Sequence, residues 1–155
     1  MTTGLNTFDT TLQESNLWLK DLMDRLGTND RHHAYSTLRV VLHVLRDRIG
    51  PENASHLGAQ LPMLLRGLYY EGWRMTGTPT KERHEAQFLT RIRELLPQSD
   101  PATLKSDVCA VFDLLSKKVD RGEAVKIVSI LPKELRELWP AFIQAAAEAK
   151  IAGAA

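Results

Sequence analysis

One cysteine stands in 155 residues, Cys109, so no intrachain disulfide can form, and the chain suits a reducing compartment. No stretch approaches the roughly 18 consecutive apolar residues that a membrane helix needs. Charge of one sign is also missing. The formal net charge is +1, about zero over residues 1–75 and about +1 over 76–155, whereas a nucleic-acid surface shows as a basic stripe. The opening Met1-Thr2-Thr3-Gly4-Leu5-Asn6 has neither a basic start nor an apolar run, so no signal peptide is expected. These absences predict a cytoplasmic chain that works away from nucleic acid and membrane.

Catalytic signatures are lacking as well. There is no Gly-rich phosphate loop, no Gly-x-Ser-x-Gly elbow and no Glu-x-x-His pair for iron. None of the five histidines has metal-ligand spacing, and adjacent His32 and His33 point to different sides of a helix. His43 and His56 align with Asp113 and Lys126 in the repeat described below, so solvated faces are expected for both. His33 with Asp30 and a residue from elsewhere is the one metal arrangement to weigh, and the reading assigns none. Cys109 falls off the main apolar stripe and has no histidine near it in sequence to activate it. The reading is non-enzymatic, with no catalytic residue, no metal and no cofactor.

What is present is a core and a repetition. Apolar residues make up 43% of the chain and charged residues 25%, the balance of a globular protein. Leu61-Pro62-Met63-Leu64-Leu65-Arg66-Gly67-Leu68-Tyr69 returns seventy residues later as Leu131-Pro132-Lys133-Glu134-Leu135-Arg136-Glu137-Leu138-Trp139. The same offset pairs Leu19 with Leu89, Asp30 with Asp100, Val41 with Val111, Leu45 with Leu115 and Ala54 with Ala124. A register kept without a gap over about fifty residues predicts a duplicated unit.

Within each unit the apolar spacing is helical. Leu12, Leu19, Leu22, Met23 and Leu26 predict one face of a first helix, matched by Phe88, Leu89, Ile92, Leu95 and Leu96. A second helix is expected to start at an Asp N-cap, Asp30 or Asp100, and to bury Leu38, Val41, Leu42, Leu45 and Ile49, or Val108, Val111, Phe112, Leu115 and Val119. A short third helix stops before Pro62 or Pro132, since the residue preceding proline is pushed out of the helical region. Each proline then starts a fourth helix, where its missing N–H costs nothing. Beyond Pro140, Ala141 to Ala149 reads as an alanine-rich helix ending before Gly153. With no alternating strand pattern and no Asn-Gly or Asp-Gly turn, the expected class is all-α. The expected layout is one domain of two tandem four-helix repeats, about 8–75 and about 81–145, packed as one pseudo-twofold eight-helix bundle. The linker is placed at about 76–80 and the Ala-rich C-terminal tail at 146–155.

On the string Leu-Pro-x-Leu-Leu-Arg-Gly-Leu-Tyr-Tyr-Glu-Gly-Trp at 61–73, its echo at 131–139 and the tandem helical layout, the chain resembles a family of small bacterial all-helical proteins. That family is catalogued as a conserved domain of unknown function. The resemblance implies a fold over nearly the whole chain, and no activity or catalytic residue.

The two copies part company at Tyr69-Tyr70-Glu71-Gly72-Trp73-Arg74, where the second has Trp139-Pro140-Ala141-Phe142. Helical spacing places Tyr69 and Trp73 on one side and Tyr70 and Arg74 on the next stripe, with Arg74 able to stack on an aromatic face. A partner patch and simple packing are the two readings of these aromatics. Arg66 and Arg136, present in both copies, are expected to be held by carboxylates or by carbonyls at a helix end, with anion binding as the alternative. The leading functional expectation is a protein-interaction module that binds a partner, or a second copy of itself, through Tyr69, Tyr70, Trp73 and Arg74. The alternative is a small-molecule binder with a pocket between the units, oriented by Arg66 or Arg136.

Overall fold

The computed structural model describes residues 2–154, and among them it contains nine helices and no strand. They are α1 (Asn6–Leu26), α2 (Arg31–Ile49), α3 (Pro51–Ala59), α4 (Met63–Tyr70), α5 (Glu85–Leu95), α6 (Leu104–Lys118), α7 (Arg121–Ser129), α8 (Lys133–Arg136) and α9 (Ala141–Ala154). The fold is all-α.

The core is centred on α2 and α6, which pack against each other and bury every residue of their expected stripes. Asp30 caps α2 as expected, its Oδ1 accepting from the backbone N–H of His32 (3.0 Å) and of His33 (3.1 Å). The start of α6 departs from this expectation. Asp100 Oδ1 accepts from Ala102 N at 2.9 Å and closes a turn, so α6 begins only at Leu104. The basic pair Lys117 and Lys118 occupies the last turn of α6, where it faces the negative end of the helix.

α1 packs on α2, α4 and α6, and α5 packs on α2, α6 and α8. The buried face of α1 is centred on Trp18 and Leu22, with Ser15. Leu12, expected in the core, is 40% exposed, because the first turns of α1 run past the core and lie beside α4. α3 meets α7, and α7 carries α9 through Ile143 and Ala147. α9 continues through Gly153 to Ala154, beyond its expected end, for an exposed glycine in a last turn costs only about 1 kcal/mol against alanine.

Pro62 and Pro132 are both N-cap residues with extended backbone, so α4 and α8 start one residue later than expected. α4 runs for 8 residues and α8 for 4. Between α4 and α5 the chain is non-helical from Glu71 to His84, longer than the expected linker. It is tied back to α2 by Thr80 N–H donating to Asp47 O at 2.9 Å and by Arg48 Nε donating to Glu82 O at 2.8 Å.

Candidate functional site

The expected aromatic site lies where α4 ends, and the backbone there differs from the sequence reading. α4 stops at Tyr70, and Gly72 turns the chain with φ +70°, a conformation in which a Cβ is strained. Tyr69 and Trp73 therefore do not share a helical face. Trp73 folds back and stacks on Tyr70, with ring centroids 5.3 Å apart and planes 18° apart, and Tyr70 tilts against Tyr69 at 5.0 Å. Tyr69 is fully buried and donates its hydroxyl to Ala54 O at 2.8 Å; burial pushes its phenol well above the usual range. Tyr70 and Trp73 are half-buried, and Arg74 is exposed. Tyr69 is thus a core residue out of reach of any partner, and among the described residues the arginine lying over an aromatic ring is Arg121 on Phe142, with 5.8 Å to the centroid.

Three basic side chains of α2 hold this end of α4. Arg46, 4% exposed, donates through one terminal nitrogen to Tyr69 O (2.7 Å) and to Glu71 O (3.0 Å), and its Nε bonds Asp47 at 2.9 Å. The half-buried His43 has Nε2 at 2.7 Å from Leu68 O, so the expected solvated face is corrected to a packed one. Desolvation by burial lowers its pKa. At the surface Arg39 pairs with Glu71 and holds that carboxyl below its ordinary value. The orphan carbonyls of a helix C-terminus need donors, and here α2 supplies them. None of these roles is visible in the sequence, where Arg46 reads as one more charge on a mixed helix.

Arg66 performs the same service for α3. Its Nε donates to Gly58 O and a terminal nitrogen to Leu61 O, both at 3.0 Å. Arg136 repeats half of this, donating to Leu131 O at 2.7 Å, with its buried Nε left without a partner. Both arginines bind carbonyls at a helix end. Gly58, which no sequence pattern singles out, is required by the aromatics: a Cβ there would overlap the Tyr70 hydroxyl and lie 2.7 Å from its ring.

Two surface features stand out from the other depressions. On α1 and α4, Leu5, Phe8, Leu12, Met63 and Leu64 are each 40–51% exposed, and four of them line a depression of about 370 Å³ together with Gly67. Thr11 Oγ1 joins the two helices there, accepting the otherwise unpaired N–H of Leu64 at 2.9 Å. A separate cleft of about 600 Å³ lies between the first turns of α2 and the chain that follows α5. Among its lining residues are His32, His33, Tyr35, Thr37 and Arg39, facing Leu96. Arg66, expected to orient a ligand between the units, lines a separate depression with Trp18, Pro62 and Lys118, and Arg136 lines neither.

Cys109 is half-buried, and burial, with Asp113 nearby, pushes its thiol up. His56 is exposed and meets Lys126 at 2.9 Å. Among the described residues no group of three or more His, Cys, Asp or Glu is arranged to hold a metal ion, and no helix is long and apolar enough to cross a membrane. A family model described as an uncharacterized conserved protein (DUF2267) matches residues 15–138, from the middle of α1 to the turn after α8. No curated protein matches the chain.

Proposed function

Since the chain belongs to the DUF2267 family, whose description carries no activity, we propose a function from its surface: it is a protein-binding module whose contact face is the apolar depression between α1 and α4. The observation that carries this is the gathering of Leu5, Phe8, Leu12, Met63 and Leu64 on one face at 40–51% exposure. Contiguous apolar side chains rimmed by polar surface mark interaction sites far more often than scattered ones do. A groove walled by two helices suits a third, laid in by ridge-and-groove packing with anchors at i, i+3 and i+4. The occupant we assign is an amphipathic helix of another protein.

This reading moves the contact face from the end of α4 to its start. Tyr69, Tyr70 and Trp73 stack on one another and on α3, so their apolar area is already largely in use. Alongside it we hold the chain to be a bacterial, cytoplasmic protein made of two copies of one four-helix unit about a pseudo-twofold axis. Three observations support the duplication. α1 crosses to α6 as α5 crosses to α2, Arg66 and Arg136 bond the carbonyl just before each proline, and the equivalent residues His56 and Lys126 touch each other, as residues beside a twofold axis must.

The test is affinity capture with wild-type protein and with a Met63→Lys/Leu64→Glu variant, beside sedimentation of both proteins alone. Both positions are exposed, so the variant is expected to keep the fold and lose the captured partners. Partners retained by the variant would overturn the reading, and self-association that the variant abolishes would replace the occupant with a second copy.

A further inference from the structure

Independently of the protein-binding face, we propose that the cleft between the first turns of α2 and the chain after α5 is a binding site for a small organic carboxylate with an apolar body. Its volume of about 600 Å³ lies in the range of small-molecule sites. The floor contains an anomaly. Thr37 is 1% exposed, lines the cleft, and its Oγ1 has no hydrogen-bond partner. A buried hydroxyl without a partner is destabilising, and a ligand that parts the side chains covering Thr37 ends the deficit by supplying an acceptor.

The lining decides the ligand's chemistry. The Arg39 guanidinium is donor-only and has only one terminal nitrogen engaged, by Glu71, while the hydroxyls of Tyr35, Ser36 and Thr37 can each donate beside it. The carboxylate in the lining, Asp30, is already occupied by two backbone N–H groups of α2. Asp107 lies behind His33, at 3.6 Å from its Nε2, and is not part of the wall. A wall that can donate at several points, with its carboxylate engaged, suits an acceptor-rich anion, and the free side of the Arg39 fork is the positive charge that would meet it. Val40, Leu95 and Leu96 provide the apolar surface for the remainder of the molecule.

The experiment is a titration of the full chain, followed by amide chemical shifts, with a set of small aromatic and aliphatic monocarboxylates and the primary amide of each as its neutral twin. Saturable shifts confined to residues 31–40 and 95–99 are expected for at least one acid, with its amide about tenfold weaker or more, the size of one charge-assisted bond. Arg39→Gln is expected to weaken that acid about tenfold. Thr37→Val separates a ligand contact from a structural role. Loss of the unpaired hydroxyl is expected to raise the melting temperature by a few degrees while weakening the acid several-fold. The proposal is overturned if no acid gives saturable shifts at the cleft, if amides bind as well as acids, or if Thr37→Val changes stability and leaves binding as it was.

Discussion

At the scale of single residues, the most consequential position is one with no side chain. Gly58 sits inside α3, where alanine would ordinarily gain up to about 1 kcal/mol of helix propensity. The Tyr70 hydroxyl, which occupies the space an alanine methyl would need, reverses that sign. Gly58→Ala is expected to lower stability by about 1–3 kcal/mol in urea denaturation and to change Trp73 fluorescence as the stack opens. Tyr70→Ala should remove most of the Gly58→Ala penalty, a coupling that a double-mutant cycle reads directly. His43 makes a second prediction, in pH. Its folded pKa lies below the unfolded value of about 6.5, so the unfolded chain takes up the proton first. The stabilisation is therefore present above about pH 6.5 and is lost as pH falls through the folded pKa. His43→Gln, which retains a donor for Leu68 O, should flatten the slope of unfolding free energy against pH in that window. The half-buried Cys109, with its thiol pushed up, should react with iodoacetamide at about pH 7.5 more slowly than free cysteine, measured by mass spectrometry.

At the scale of elements, helix ends carry the design. α3 is closed by Arg66 of the helix that follows it, and α4 by Arg46 and His43 of the helix two before it. Arg66→Met should cost about 1–3 kcal/mol by removing two bonds, one of them the side-chain donor to Leu61 O while Gly58 O keeps the N–H of Leu61, and Arg66→Lys should recover less than half, since a single ammonium cannot reproduce the fork. Arg136→Met should cost less, because one bond is lost there. Chemical denaturation of the three variants checks the order. Helix faces are also where the sequence is partly legible. Stripes such as Leu38, Val41, Leu42, Leu45 and Ile49 are readable because every position meets a neighbour in the core. Leu12 obeys the same periodicity yet stays exposed, for periodicity records a face and not whether anything covers it. Arg46 is illegible for a related reason: its partners are carbonyls 23 and 25 residues away, which no local pattern encodes. Helical spacing puts Tyr69 and Trp73 on one face, and it fails because Gly72 turns the chain in between.

At the scale of the whole molecule, each half leans on the other. α1 lies on α6 as well as on α2 and α4, and α5 lies on α2 as well as on α6 and α8, so part of the core on each side of Gly77 is covered by helices from the other side. A unit of about 75 residues is marginal even with its core complete. Residues 1–77 and 78–155 made separately should each lack a cooperative thermal transition, and mixing them should restore one, followed by circular dichroism. Independent cooperative unfolding of either piece would count against this mutual support. The stretch from Glu71 to His84 takes little part in that mutual support, but it is stitched down at Thr80 and Glu82 along the last turn of α2. A protease that nicks the exposed Gly77 would thus meet a break already clamped on its downstream side. The two pieces would elute together as one particle, and only a denaturing gel would reveal the cut.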